Sequence, residues 1–289
     1  MKKGIFYAVM TAILFVTLEP VSKLIANEVS PYAITFWRFI IGSLILLPPA
    51  IIKIKKEKIH IDLKTLGIMT LLGVLVICIS MIVLQIGVKK AESPSLIAII
   101  FSANSIFTIL FARIILKDKL RKNKIIALLF GIAGVIACAD FSSGTNLVSV
   151  LYAVIAALSF SLYTVLSQKL MKRFGGIIQT SLVFLTGSAV LLVALLVFGI
   201  DITLSFTPST LATLGYLGLF VTGLGYVCYF KAIEKGGAIM ASFAFFVKPI
   251  LTPFVTFFIN GIVPDFKVFV AVALIVVASY FATYKKADN

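Results

Sequence analysis

Charge is scarce in this chain of 289 residues. Lys, Arg, Asp and Glu make up 13% of it, against roughly 25% in an average soluble domain. Hydrophobic residues make up 61%, which is more apolar surface than a soluble core of this size can bury. A lipid bilayer accepts such surface, and the length suits about ten spans of about 20 residues with short links. The composition therefore excludes an ordinary soluble protein and predicts an all-α polytopic membrane protein.

Residues that usually carry metal or acid–base chemistry are also few. The one histidine, His60, lies in a basic loop, and Cys78, Cys138 and Cys228 each lie within an apolar run. This odd number and spacing predict neither a disulfide framework nor a metal site, and no serine nucleophile has a histidine to partner it. A glycine-rich phosphate loop is missing, so direct use of ATP is not expected. We therefore predict no enzymatic activity, no cofactor and no metal.

Apolar runs predict ten transmembrane helices. With the amino terminus in the cytoplasm, nineteen of the 26 lysines and arginines fall in inner segments and only Lys89, Lys90 and Lys267 in outer ones. Such a bias predicts that both termini are cytoplasmic. Because the basic residues form short runs between apolar stretches, the net charge of +15 does not indicate a nucleic-acid partner. The predicted spans are 5–26, 31–52, 65–88, 94–115, 123–140, 147–168, 177–199, 209–231, 239–260 and 266–284.

The two halves of the chain align with each other at an offset of about 145 residues. Five spans in each half is an odd number, so the second half lies inverted in the membrane, as in many secondary transporters. We predict a first repeat at 1–143 (spans 1–5) and a second at 144–289 (spans 6–10). Ala8, Phe15, Thr35, Phe39, Gly42 and Gly73 recur as Ala153, Phe160, Thr180, Phe184, Gly187 and Gly218.

Several short motifs point to one family. Span two opens with Ser30-Pro31 and Phe36-Trp37-Arg38-Phe39, Leu116-Lys117-Asp118-Lys119-Leu120 leads to Gly131-Ile132-Ala133-Gly134-Val135, and Lys248-Pro249 lies in span nine. With these motifs the chain resembles the drug/metabolite transporter (DMT) superfamily, in particular its EamA-type ten-helix members. The resemblance implies a monomeric secondary transporter of the plasma (inner) membrane that works by alternating access, usually an exporter of amino acids or related metabolites. Asp118 stands where the family often has Glu, and the resemblance does not transfer a substrate.

Charged residues inside spans cost about 2.5–3.5 kcal/mol at the helix centre, so they usually have partners or a function. Glu19 in span one and Arg38 in span two both lie roughly 5 Å to the outer side of the midplane, at 1.5 Å per residue. This depth predicts an ion pair, which either locks two helices or belongs to a binding site or gate. Lys248 is nearly central in span nine, before the helix-breaking Pro249. It fits a site for an anionic group, or else it snorkels or is neutralised by burial.

Three uncharged residues complete the predicted substrate-binding set. Asn104, the repeat counterpart of Lys248, is central in span four, where it either contacts substrate or bonds another helix. Tyr163 and Phe246 are among the aromatic residues near the expected cavity, where each either packs or helps to form a moderately apolar lining. Lys23, one turn beyond Glu19, is expected to snorkel to the interface.

The preferred hypothesis is a transporter for an amino acid or a related zwitterion or organic anion. Arg38 and Lys248 would attract a carboxylate, and Glu19 would bind an ammonium group or a coupling proton. The alternative is a multidrug or cationic-compound efflux transporter. A non-transporting membrane receptor or scaffold is the alternative from another class, and the short loops argue against it.

Overall fold

All regular secondary structure in the described part of the chain is helical. The structure is a computed structural model that describes residues 2–116, 122–138, 144–204 and 207–283. The helices are α1 (Lys2–Phe15), α2 (Leu18–Leu24), α3 (Pro31–Lys56), α4 (Leu63–Gly73), α5 (Ile82–Lys90), α6 (Pro94–Ser102), α7 (Asn104–Leu116), α8 (Lys122–Cys138), α9 (Gly144–Phe174), α10 (Gly176–Val197), α11 (Pro208–Tyr216), α12 (Gly225–Asn260) and α13 (Phe266–Thr283). A π-helical segment, Val74–Met81, joins α4 to α5, and a second, Leu217–Leu224, joins α11 to α12.

Seven helical stretches in the described ranges are long and apolar enough to cross a membrane. They coincide within a few residues with predicted spans one to four and six to eight, so a multi-pass membrane protein is confirmed. A shorter apolar helix, Phe266–Ala278, lies within the last predicted span. The seven stretches are Gly4–Leu24, Pro31–Lys56, Leu63–Lys90, Pro94–Ile115, Leu147–Gln168, Gly176–Val197 and Pro208–Ala232.

Two of these stretches begin with the same N-cap motif, a hydroxyl residue followed by proline. The hydroxyl of Ser30 accepts a hydrogen bond from the Ala33 N–H at 3.1 Å before α3, and Pro31 occupies the first helical position. Thr207 caps α11 in the same way, with Pro208 following it. A side-chain oxygen satisfies one of the free N–H groups of the first turn, and proline is tolerated there because its missing N–H would have no helical partner.

Helix α12 combines two predicted spans. The link expected at Gly236-Gly237 is helical, but the chain reverses direction near it. The rings of Tyr229 and Phe245 lie 5.7 Å apart, centroid to centroid, whereas sixteen residues of straight helix would separate their backbones by about 24 Å. The two parts of α12 therefore run back along each other.

The two halves of the chain pack closely at glycines. Gly73 in α4 faces Gly187 in α10, so that a Cβ on Gly73 would lie 2.7 Å from the Gly187 Cα. A Cβ on Gly218 would lie 2.5 Å from the side chain of Ile41 in α3. Small residues let helices approach closely within a membrane. Both contacts join a residue of the first half to one of the second.

One end of the bundle is rich in basic residues and is here named the basic end. It carries Lys53 near the end of α3 and Arg173 near the end of α9. The turn between α9 and α10 lies beside Lys53, because a Cβ on Gly175 would be 2.6 Å from Lys53 Nζ. At the same end, Glu234 Oε1 accepts a hydrogen bond from the Gly176 N–H at 2.8 Å.

Candidate functional site

A buried ion pair joins the beginning of the chain to its last third. Lys248 Nζ donates a hydrogen bond to Glu19 Oε1 at 2.6 Å, and the two side chains are 1% and 0% exposed. Removing two charges from water costs several kcal/mol per ion, and only close geometry returns that cost. The close contact of the pair offsets part of this cost, and the pair lies inside the bundle.

Breaks in helical geometry position both members of this pair. Helix α1 ends at Phe15, and α2 begins at Leu18, so Glu19 lies in the first turn of a new helix with Pro20 beside it. Lys248 immediately precedes Pro249 in α12. Pro249 has no N–H and so cannot bond the carbonyl one turn earlier in the helix. The Lys248 carbonyl accepts a hydrogen bond from the hydroxyl of Thr252 at 2.7 Å.

Arg38 lies in the same region, 1% exposed, with its Cζ 4.6 Å from the centroid of the Phe39 ring. It lines a small cavity, with room for about one water molecule, together with Lys248 and Tyr226. Among the described residues, Arg38 Nε and Nη2 have no hydrogen-bond partner, and neither has Glu19 Oε2. The region formed by Glu19, Arg38 and Lys248 is here named the charged pocket.

The ion pair predicted between Glu19 and Arg38 differs from the observed one. Short links along the chain favoured Arg38 as the partner, but α2 packs against α12, and this packing brings Lys248 to Glu19 instead. Adjacency along the chain therefore did not decide the pairing. Arg38 remains within electrostatic reach of Glu19.

Aromatic rings enclose the charged pocket. Lys248 Nζ lies 5.2 Å from the centroid of the Phe101 ring, and Phe15 packs against Tyr226 at 5.1 Å. Phe160 and Phe245 are 6.0 Å apart and also line the cavity. Rings exclude water, and electrostatic interactions are stronger in such a site than in bulk solvent.

Asn104 and Tyr163 line a second, neighbouring cavity, which has room for about one water molecule in this conformation. Seven of its ten lining residues carry a hydroxyl or amide and the ten carry no charge, so it is here named the polar cavity. Asn104 is 3% exposed and donates from Nδ2 to the Phe101 carbonyl at 2.8 Å. Phe245 lines both cavities, so the structure brings five of the six predicted residues to two adjoining spaces.

The sixth residue, Phe246, belongs to α12, but its side chain lies outside the described part of the structure. Lys23, expected to snorkel to the interface, donates from Nζ to the carbonyls of Val88, Lys89 and Ala91 at 2.5–3.2 Å. The free carbonyls at the end of α5 attract the ammonium group.

Sequence reasoning missed several lining residues. Thr164 and Gln168 line the polar cavity, and both were overlooked because hydroxyls and amides in apolar runs are common. The repeat contained a signal: at the offset of 145, Thr164 corresponds to Glu19 and Gln168 to Lys23. Among the described residues, His, Cys, Asp and Glu form no group of three that could hold a metal ion.

A multi-pass helical bundle with buried charges beside internal cavities is the architecture of a membrane transporter. The EamA-like transporter family matches residues 2–139 and again residues 147–284. The chain belongs to this family, and the resemblance to the drug/metabolite transporter superfamily is confirmed.

Similar proteins are named as transporters too. An uncharacterized transporter of Clostridium kluyveri is 32% identical over all of this chain and 96% of its own length. The uncharacterized transporter YyaM of Bacillus subtilis is 25% identical over 88% of this chain and 85% of its own. A solved crystal structure shares the fold, with a TM-score of 0.70 over 98% of this chain and 97% of that chain at 17% identity.

Proposed function

We propose that the protein is a secondary transporter that carries a small carboxylate-bearing metabolite across the plasma membrane, in the direction of export. The substrate class is an amino acid or a related zwitterion or organic anion. The observation that carries the proposal is the buried guanidinium of Arg38, whose Nε and Nη2 lack partners among the described residues, beside the Glu19–Lys248 pair.

The charges of the pocket favour an anion. Arg38 and Lys248 contribute two positive charges and Glu19 one negative charge, so one cation is left over in a site that is closed to solvent. Nε and Nη2 form one edge of the guanidinium, and two parallel N–H donors on that edge match the two oxygens of a carboxylate. Lysine would supply a point charge without this geometry.

Alternating access is supported by correspondences between the two halves. The π-helical segments Val74–Met81 and Leu217–Leu224 are each eight residues long and lie 143 residues apart. The rings of Phe39 and Phe184, which correspond in the sequence repeat, contact each other at 4.8 Å. We therefore propose ten transmembrane helices in two inverted five-helix repeats, divided between residues 143 and 144, in a monomer with both termini cytoplasmic.

Three hydrogen bonds between the halves lie in the part of the bundle that faces away from the basic end. Thr17 and Tyr216 share one at 3.0 Å, and Trp37 Nε1 donates to the Ile202 carbonyl at 3.0 Å. Asn260 Nδ2 reaches the Pro20 carbonyl at 3.1 Å. These contacts support a conformation that is sealed on this side, with the polar cavity on the other, and transport would require them to break.

A binding and transport assay tests the proposal. The purified protein is screened by thermal shift against amino acids, nucleosides, organic anions and organic cations. A ligand at 100 times its dissociation constant adds about 2.7 kcal/mol, or roughly 5–11 °C at 2–4 °C per kcal/mol. A hit is then followed by uptake into liposomes. A screen in which only cations bind would overturn the proposal.

Two arginine variants sharpen the assay. Arg38→Lys should weaken carboxylate binding by about 10–100-fold, because hydrogen bonds to charged groups are worth about 1.5–3 kcal/mol. Arg173→Lys is the matched control, since Arg173 also lies over the next ring, Phe174, at 4.8 Å, but is exposed at the basic end. Equal affinities in the two variants would contradict the role of Arg38.

Proton coupling is a separate hypothesis about Glu19. If this carboxyl exchanges a proton during the cycle, Glu19→Gln should abolish gradient-driven flux and leave counterflow exchange intact. Loss of both would show that Glu19 serves binding or folding, and retention of both would exclude coupling through it.

The aromatic lining favours one alternative substrate class, lipophilic cations, because ring faces attract cations. In multidrug efflux, quaternary amines would compete for the site, and Lys248→Ala would not weaken them. Weakened amine binding in that variant would count against efflux of cations.

A further inference from the structure

The polar cavity is the sequence-repeat counterpart of the charged pocket. Thr164 corresponds to Glu19 at an offset of 145 residues, and Asn104 corresponds to Lys248 at an offset of 144. Glu19 and Lys248, one from each half, form a buried ion pair, whereas their counterparts Thr164 and Asn104, again one from each half, line an uncharged cavity. Positions that correspond in the sequence repeat are thus charged in the charged pocket and uncharged in the polar cavity.

Three of the five hydroxyls that line the polar cavity face it as acceptors, whereas the buried hydroxyl of Tyr163 has no partner among the described residues and can donate. Ser105, Thr108 and Thr164 each donate their proton to a carbonyl three or four residues earlier in the chain, at 2.8–3.1 Å. Asn104 uses one N–H of Nδ2 on the Phe101 carbonyl, which leaves its second N–H and Oδ1 for other partners. A hydroxyl that has donated its proton retains two lone pairs. Because the Gln168 amide and the Tyr163 hydroxyl also supply donors, the cavity suits an uncharged ligand group that both donates and accepts hydrogen bonds.

The two spaces lie close enough for one ligand to reach both. Asn104 is three residues from Phe101, whose ring is beside Lys248 Nζ, and three residues of helix rise about 4.5 Å. Phe245 lines both spaces. Gln168 and Met171 line the far side of the polar cavity, one to two turns before α9 ends at the basic end.

We propose that the polar cavity is a second subsite for the same substrate and binds an uncharged group that both donates and accepts hydrogen bonds, such as a carboxamide or hydroxyl. The inference rests on the proposed function, in which Arg38 binds the carboxylate. The substrate would then be an acid with a neutral polar tail, and an acid with an apolar tail of the same shape would bind more weakly. The cost arises because the acceptors of the cavity lose water without gaining a partner.

Two pairs of matched probes test the subsite on the full chain in detergent, by thermal shift and calorimetric titration. L-asparagine and L-leucine have side chains with the same number of heavy atoms, and so do succinamate and 4-methylpentanoate, which lack the ammonium group. We expect the amide of each pair to bind about 10-fold more tightly or better than its apolar isostere. Gln168→Met and Asn104→Leu should each reduce this ratio to below about 3-fold.

The outcomes separate the subsite from the carboxylate site. Arg38→Lys should weaken all four probes and leave the amide-to-apolar ratio unchanged. Equal affinity for amide and apolar probes in the wild-type protein, or a ratio that neither Gln168→Met nor Asn104→Leu alters, overturns the subsite alone. Affinities that Arg38→Lys does not change, or binding of none of the four probes, overturn the proposed function and the subsite together.

Discussion

Removing one member of the Glu19–Lys248 pair leaves the other as a lone charge in a closed, ring-lined site, since both side chains are at most 1% exposed. Such losses cost about 3–5 kcal/mol. The remaining charged side chain can instead become neutral by gaining or losing a proton, and the free energy of that step sets an upper limit on the loss of stability. From ordinary solution values, protonating a glutamate at pH 7 costs about 3.7 kcal/mol and deprotonating a lysine about 4.6 kcal/mol. Lys248→Met, which leaves Glu19 alone, should therefore lower the free energy of unfolding by at most about 3.7 kcal/mol, and Glu19→Gln, which leaves Lys248 alone, by at most about 4.6 kcal/mol.

The double variant should cost much less than the two single variants together, because it leaves neither charge behind. We expect a coupling energy of about 3 kcal/mol between the two positions. Denaturant titration in mixed micelles measures these free energies of unfolding. Thermal unfolding should show each single loss as a shift of roughly 6–15 °C at 2–4 °C per kcal/mol.

The upper limits also predict opposite pH dependence for the two single variants. At pH 5, protonating a lone glutamate costs only about 1 kcal/mol, and at pH 9, deprotonating a lone lysine costs about 1.9 kcal/mol. The Lys248→Met defect should thus shrink in acid, and the Glu19→Gln defect should shrink in base. Asn104→Leu and Thr164→Val form the matched control pair, because each side chain bonds a carbonyl three or four residues earlier in the chain. Their coupling energy should be below about 0.5 kcal/mol. Additive costs for Glu19→Gln and Lys248→Met, without pH dependence, would refute the reasoning.

Three further variants test other parts of the structure. Gly73→Ala should lower the free energy of unfolding by about 1–3 kcal/mol, because the new Cβ would meet the backbone of α10. Gly67→Ala is the control, since there is open space around Gly67, and it should be neutral or stabilising in the same denaturant titration. Lys23→Met should speed hydrogen exchange at the end of α5, whose carbonyls its ammonium group binds, and unchanged exchange there would contradict this role. The Thr65 hydroxyl donates a hydrogen bond to Asp62 and lowers the pKa of that carboxyl. The stability that this bond contributes is therefore present above the ordinary pKa of aspartate and is lost as the pH falls. Thr65→Val should raise the Asp62 pKa in a carbon-13 NMR titration, and an unchanged pKa would exclude the hydrogen bond.

A conflict between the pair and the substrate follows from the same geometry. In this conformation Lys248 is bound to Glu19, whereas Nε and Nη2 of Arg38 have no hydrogen-bond partner in the part of the chain that the structure describes. A carboxylate that also recruited Lys248 would separate the pair and leave Glu19 to find a proton or an ammonium group. Substrate binding and the charge state of Glu19 are therefore expected to be linked, and the Glu19→Gln flux assay tests that linkage.

Composition and periodicity alone determined the class of the molecule. Apolar runs must be buried in lipid and their backbone bonds closed within helices, so the positions of spans such as 31–52 and 177–199 follow from local sequence with errors of a few residues. The same local rule located Glu19, Arg38 and Lys248, because a charge inside an apolar run is conspicuous wherever the helix packs.

Partners were decided only by the tertiary structure. Which cation meets Glu19 depends on how α2 packs against α12, 229 residues further along the chain, and helices in lipid associate by close packing of many small contacts. The reversal inside α12 and the separation of the polar cavity from the charged pocket by Phe245 have the same origin. Hydropathy is a property of each segment, whereas pairing and cavities are properties of surfaces that meet only when all the helices are assembled.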